Sequence, residues 1–141
     1  MKKWMACLLA GVCSVASADL VFKNVPQDLE VPLQGHALTL AEKDAQGVLQ
    51  LHSSKPVISE LEYNNFVMHG ICSHQWRNPA RFASWNLSTV QLWAADGQKG
   101  YAFDASGDVC EQLGKFGQPG QNYRKLVAER TTVCQQGQCG K

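Results

Sequence analysis

The chain has 141 residues, with 13 Lys and Arg against 12 Asp and Glu, and 45% of its residues are hydrophobic. This length predicts a single domain, and the near balance of charge gives no support to nucleic-acid binding through bulk electrostatics. No segment approaches the roughly 20 apolar residues that a membrane-spanning helix needs, so we expect no membrane span.

Residues 1–18 have the pattern of a secretory signal peptide. Two lysines precede an apolar run, and the small-residue triplet ASA ends it, which predicts cleavage before Asp19. The alternative is a lipid anchor on Cys13, but Val12 stands directly before that cysteine, where lipoprotein signals resemble one another in having Gly, Ala or Ser. We therefore expect residues 19–141 to form one exported domain, periplasmic or, alternatively, secreted.

Short strands and turns dominate the predicted elements of the amino-terminal half. HALTLAE and GVLQLHS alternate apolar and polar residues on either side of the turn DAQG, which predicts a β-hairpin. Before them, DLVFKNV and DLEVPL are predicted as strands, and Pro26 and Pro32 restrict these to sheet edges or strand ends. After Pro56, the residues from Phe66 to Cys72 are predicted as a further strand.

The carboxy-terminal half begins with a second predicted hairpin. STVQLWA and GYAFDA flank the pair Asp96-Gly97, which has the chemistry of a tight turn. The segment VCEQLGKF predicts a short helix, and YRKLVAERTTVC is compatible with a helix or a strand. Together the elements predict a β-rich or α+β fold, a small single domain of antiparallel hairpins with one or two short helices, stapled by disulfides.

Four cysteines remain after removal of the signal peptide, and export to an oxidising compartment favours disulfides between them. Sequence alone allows three connectivities. We favour Cys72 with Cys110 and Cys134 with Cys139, because the second pair flanks the short loop QQGQ, in which Gly137 can adopt a positive φ.

The segment VMHGICSHQW places Cys72 between His69 and His74. This arrangement raises two alternatives to a disulfide, namely a metal site and a catalytic thiol with one histidine as its base. The spacing H-x2-C-x-H does not match the usual zinc motifs, and both alternatives need a reduced thiolate in an oxidising compartment. We therefore expect no metal and no cofactor, and a Cys/His-dependent enzyme or metal-binding protein remains the second alternative.

Two segments carry residues that are typical of binding surfaces. In SHQWRNPARFASWN, arginines stand beside tryptophans, a combination enriched in binding hot spots, and the contact candidates are Trp76, Arg77, Arg81 and Trp85. A disulfide-closed loop loses little freedom on binding, and the loop between the last two cysteines provides the second group of candidates: Gln135, Gln136, Gly137 and Gln138.

No motif in the sequence predicts a particular reaction, and we do not predict an enzyme. The favoured function is a small exported binding protein whose partner is an envelope or secreted protein, as for an inhibitor or a toxin-neutralising immunity protein. The alternative is a carbohydrate- or peptidoglycan-binding module that uses Trp76 and Trp85 as stacking platforms.

Overall fold

The computed structural model describes residues 19–117 and 120–140. The predicted signal peptide and the alternative anchor on Cys13 lie outside these described residues.

Seven strands form one mixed sheet, and each strand lies beside its neighbour in the sequence. They are β1 (Val21–Lys23), β2 (Leu38–Lys43), β3 (Val48–Ser53), β4 (Thr89–Trp93), β5 (Gly100–Asp104), β6 (Thr131–Gln135) and β7 (Gln138–Cys139). The pairs β1–β2 and β3–β4 are parallel, and the other neighbouring pairs are antiparallel.

Short helices connect the strands in the described residues. They are α1 (Gln27–Leu33), α2 (Glu60–Phe66), the π-helix π1 (Val67–Cys72), α3 (Ser73–Arg77), α4 (Pro79–Ser84), α5 (Val109–Lys115) and α6 (Gln121–Glu129). The chain crosses from β1 to β2 through α1, from β3 to β4 through α2 to α4, and from β5 to β6 through α5 and α6. The predicted α+β class with two disulfides is confirmed.

The helices cover one face of the sheet. Successive side chains of a strand point to opposite faces, and the register places Leu51, Leu92 and Tyr101 side by side on one of them. These residues pack in one cluster with the buried side chains of the helices. On the opposite face, Trp93 and Cys134 form a smaller cluster of their own. The main core therefore lies between the sheet and the helix layer.

Both predicted hairpins are present, and their turns have the expected backbone conformation. β2 pairs with β3, and β4 pairs with β5 across a turn in which Gly97 has φ 71°. The predicted disulfide Cys134–Cys139 joins β6 to β7. Between these strands, Gln136 and Gly137 both adopt positive φ, 56° and 75°, as a two-residue hairpin turn requires.

Two predicted strands are wrong. DLEVPL lies in α1, where Leu29 and Leu33 are both buried at the i, i+4 spacing of a helix face, and Pro32 falls in the last turn. The stretch from Phe66 to Cys72 lies in a continuous helical segment that runs from α2 through π1 to α3. The segment YRKLVAERTTVC, which is compatible with a helix or a strand by sequence, contains both, since α6 ends at Glu129 before β6 begins at Thr131.

Candidate functional site: the Trp76 cavity

The helical segment α2–π1–α3 carries the motif VMHGICSHQW and begins with a capping box. Ser59 Oγ accepts a hydrogen bond from the Glu62 backbone N–H at 3.1 Å, which satisfies one of the free donors at the start of α2. The buried residues that follow recur at helical spacing from Tyr63 through Phe66 and Val67 to Gly70, and burial is then continuous through Ile71, Cys72, Ser73 and His74. This periodicity is the signal in the sequence that favours a helix over the strand predicted for Phe66 to Cys72.

The Cys72–Cys110 disulfide, predicted from the sequence, joins π1 to α5 with a Cα–Cα distance of 4.9 Å. Both cysteines are buried. Because Cys72 is bonded to Cys110, it has no thiolate to act as a nucleophile, and the catalytic-thiol hypothesis does not fit this structure. The disulfide instead holds α3 and α5 side by side.

Trp76 extends from α3 across α5 and is held there by two contacts. Its indole Nε1 donates a hydrogen bond of 2.6 Å to the Cys110 carbonyl oxygen. Its ring lies against Gly114, where an added Cβ would come within 2.6 Å of Nε1. Glycine at position 114 is therefore what allows the indole to lie this close to α5. Trp76 remains 38% exposed. Because the hydrogen bond and the contact with Gly114 hold the indole in place, it presents a fixed aromatic surface.

A cavity of about 400 Å³, called here the Trp76 cavity, opens beside this ring. Its lining combines apolar side chains with a polar rim and includes Met68, Gln75, Trp76, Glu111, Leu113 and Tyr123. Concave sites with this mixture are typical of ligand and partner recognition. The sequence pointed to Trp76 alone among these residues; Gln75 is its neighbour on α3, whereas the others lie on π1, α5 and α6 and meet Trp76 only in the folded chain.

Tyr123 of α6 contributes an unusual polar group to the same cavity. Its side chain is 3% exposed, and within the described residues its hydroxyl has no hydrogen-bond partner. Burial raises the pKa of Tyr123 to about 12, so this hydroxyl stays protonated at neutral pH. An unpaired buried hydroxyl is costly, and this one belongs to a residue that lines the cavity but is itself closed to solvent.

The other contact candidates in SHQWRNPARFASWN differ in their placement. Arg77 and Arg81 are exposed on α3 and α4, and the Arg81 guanidinium carbon lies 6.0 Å from the centroid of the Trp85 ring. Trp85 itself is only 1% exposed, and its Nε1 donates to Asp28 Oδ1 at 2.8 Å. The prediction that Trp85 is a contact residue is therefore corrected: this indole is part of the core. The segment is also helical, with Asn78 as the N-cap of α4.

The second group of candidates lies elsewhere on the molecule. Gln135, Gln136, Gly137 and Gln138 are all exposed in the β6–β7 hairpin. The Gly137 backbone N–H donates to the Gln98 carbonyl at 3.0 Å, which ties this hairpin to the β4–β5 turn. Gln135 lines a different cavity, beside Tyr101 and Val133, so the two predicted contact regions do not share the Trp76 cavity.

The two histidines of VMHGICSHQW have different surroundings. His69 is exposed on π1, whereas His74 is buried on α3, where its ring meets the Trp85 ring edge-on with centroids 5.6 Å apart. His74 Nδ1 has no hydrogen-bond partner among the described residues. In the part of the chain that the structure describes, no three His, Cys, Asp or Glu side chains lie together where they could hold a metal ion.

Burial of histidines makes stability depend on pH. Desolvation lowers the pKa of both His36 and His74, with further lowering by His69 for the former and by Arg77 and Arg81 for the latter. The neutral forms therefore favour the folded state, so this stabilisation is present above the ordinary histidine pKa of 6.5 and is lost as pH falls below it.

We expect urea unfolding to give a smaller free energy of unfolding at about pH 5.5 than at about pH 7.5. His74→Gln should reduce this pH dependence, because the buried group that must be charged at low pH is gone. His52→Gln on the opposite face of the sheet, where His52 stacks on Trp93, serves as the control and should keep the wild-type profile. Equal stability of the wild type at both pH values would contradict the prediction.

Comparison of the chain with protein-family models, with curated proteins and with solved structures finds no match. Among residues 19–117 and 120–140, no helix combines the length and the apolar composition that crossing a membrane requires. The two disulfides fit an oxidising compartment. The basis for assigning a function is therefore the geometry of the chain itself.

Proposed function

We propose that this chain is a binding protein of an oxidising compartment, the periplasm or the extracellular space, and that it recognises another exported protein through the Trp76 cavity. Inhibitors and toxin-neutralising immunity proteins are the classes that this reading favours. The observation that supports it is the fixed, partly exposed indole of Trp76 beside a mixed apolar and polar cavity.

A fixed tryptophan suits protein recognition for energetic reasons. An aromatic ring offers a large contact area, and a ring already held by a hydrogen bond and a disulfide-linked helix loses little side-chain freedom on binding. Tryptophan and arginine are the side chains most enriched in binding hot spots. Arg77 is exposed but does not line the cavity, whose basic lining residue is Lys115, so an acidic group on the partner can be met by Lys115.

The alternative function, a carbohydrate-binding module, needs exposed tryptophan rings on which sugars can stack, and of its two candidates Trp76 alone is exposed. It relied on Trp76 and Trp85 as paired platforms, and Trp85 is buried. A sugar would have to stack on Trp76 alone, with Gln75 and Glu111 as its hydrogen-bonding partners in the cavity.

The test is affinity capture from an envelope extract with the immobilised, oxidised protein. We expect the wild type to retain a discrete protein, and Trp76→Ala to reduce its amount at least tenfold, as loss of a hot spot does. Glu111→Lys, which reverses a charge at the rim, should also weaken capture. Circular dichroism of each variant establishes that it is folded.

Leu61→Ala is the matched control, since Leu61 is 69% exposed on α2 and does not line the cavity. This variant should retain as much partner as the wild type. Retention of the same protein by folded Trp76→Ala would overturn the proposed site. Retention of polysaccharide in place of protein, lost in Trp76→Ala, would favour the carbohydrate alternative.

A further inference from the structure

A second cavity, of about 300 Å³, lies between the β2–β3 end of the sheet and the helical segment α2–π1. It shares no lining residue with the Trp76 cavity. Its apolar lining includes Leu38, Ile58, Phe66 and Leu92, and its polar lining includes His36, Lys55, Glu62, Asn65 and His69. We call it the His36 cavity. An apolar floor with a few polar groups at one side is the usual construction of a small-molecule site.

The π-helix π1 carries His69, and His36 packs against Gly70 of the same helix, so both imidazoles line this cavity. Gly70 of π1 is buried, and a Cβ at this position would lie 2.7 Å from a Phe66 ring carbon and 3.2 Å from His36 Nε2. A larger residue at position 70 would clash with the Phe66 ring and would require His36 to shift by a few tenths of an ångström. The His36 ring also meets the Phe66 ring edge-on, with centroids 5.0 Å apart. Single π-helical turns of this kind occur frequently at functional sites.

The imidazoles of His36 and His69 are unpaired within the described residues. Neither side chain takes part in a hydrogen bond or an ion pair there. Glu62 is the carboxylate in the described lining, and it is already paired with Lys55 at 2.9 Å. Protonation of the two histidines therefore adds positive charge that no unpaired carboxylate in the described lining of this cavity neutralises.

We propose that the His36 cavity binds a small amphipathic carboxylate, with the carboxylate between His36 and His69 and the apolar tail against Ile58, Phe66 and Leu92. Two imidazoles can each donate an N–H to a carboxylate oxygen. The apolar side chains offer the tail a surface away from water, which strengthens binding by roughly fourfold for each buried methylene. This proposal is independent of the partner proposed for the Trp76 cavity.

The affinity should rise as pH falls, because an anion binds the protonated imidazoles more tightly. The titratable groups around His36 are His69 and His74, Lys55 and Glu62 in the same cavity, and Asp19, which lines a neighbouring cavity together with His36. The Lys55–Glu62 pair carries no net charge, and burial lowers the pKa of His36, so the rise in affinity is expected as pH falls below about 6.5.

The experiment is calorimetric titration of the full oxidised chain with hexanoate, and with acetate and 1-hexanol as analogues that lack the tail and the charge. We expect hexanoate to bind at least tenfold more tightly than either analogue, and more tightly at about pH 5.5 than at about pH 7.5. His36→Gln and His69→Gln should each weaken hexanoate binding at least fivefold. His52→Gln is the matched control and should bind as the wild type does.

Three results would overturn the proposal: no saturable hexanoate binding, equal affinity for hexanoate and 1-hexanol, or unchanged affinity in both cavity variants. Because His69 is exposed, His69→Gln is expected to fold even if His36→Gln is destabilised. Trp76→Ala should leave hexanoate binding unchanged, so this test and the capture test succeed or fail separately.

Discussion

Replacing Trp85 with Ala is expected to lower the free energy of unfolding by about 3 to 5 kcal/mol, the range observed for large aromatic residues in cores. The indole is 1% exposed, and its ring lies edge-on to the rings of His74 and Phe82, with centroids 5.6 and 5.8 Å away. Truncation leaves a cavity beneath α3 and α4 that these neighbours can fill only in part. Urea unfolding of the oxidised protein measures the loss.

Two further variants separate the core role of Trp85 from a contact role. Trp85→Phe keeps most of the packing and loses the hydrogen bond to Asp28, so we expect a loss of about 1 to 2 kcal/mol. Trp76→Ala should cost about 2 kcal/mol, because this ring is 38% exposed. A larger loss for Trp76→Ala than for Trp85→Ala would contradict the assignment of Trp85 to the core.

Removing the Cys72–Cys110 disulfide is expected to cost about 4 kcal/mol, because the bond closes a loop between residues that are 38 positions apart. In the chain-entropy model, the stabilisation grows with the length of the closed loop. Cys134–Cys139, with a separation of 5, should contribute about 2 kcal/mol. The test is urea unfolding of the variants Cys72→Ala/Cys110→Ala and Cys134→Ala/Cys139→Ala.

The first disulfide also affects the proposed partner site. It holds α5, whose Cys110 carbonyl accepts the hydrogen bond from Trp76. We therefore expect the Cys72→Ala/Cys110→Ala variant, under conditions where it is folded, to capture less partner than the Cys134→Ala/Cys139→Ala variant. Equal destabilisation by the two double substitutions, together with equal capture, would show that the Cys72–Cys110 disulfide does not have this role.

The two proposed sites are both built on the segment VMHGICSHQW. Its carboxy-terminal end places Trp76 against α5, and its π-helical part places Gly70 against His36. The segment is rigid because it is anchored twice, by the capping box at Ser59 and by the disulfide at Cys72. Binding of a small anion on one side and of a protein on the other would thus involve different residues of one helical segment.

Local patterns in the sequence predicted the elements that depend on local chemistry. The hairpins β2–β3 and β4–β5 follow from alternating side chains and turn residues, since strand alternation and a positive φ at Gly97 act within a few residues. Helix α5 followed in the same way. The cysteine pairing was also predictable, because Cys134 and Cys139 are separated by a loop that closes easily with Gly137 in its turn.

Tertiary packing decided which side chains are available for binding. Trp76 and Trp85 stand in the same short segment, Trp76 among polar residues and Trp85 among both apolar and polar ones, in FASWNL. One is exposed and the other buried because α3 lies against α5 while the chain after α4 turns into the core.

By itself, the sequence determined that four cysteines pair in a β-rich α+β domain, because turn chemistry, alternation and thiol oxidation need only nearby residues or the compartment. It did not determine the helical form of Phe66 to Cys72 or the placement of His36 beside Gly70. The helical form and the placement of His36 depend on which face of the helix packs against other buried residues, and those residues come from distant parts of the chain. The cavities exist only where such distant residues meet, so the tertiary structure alone decided them.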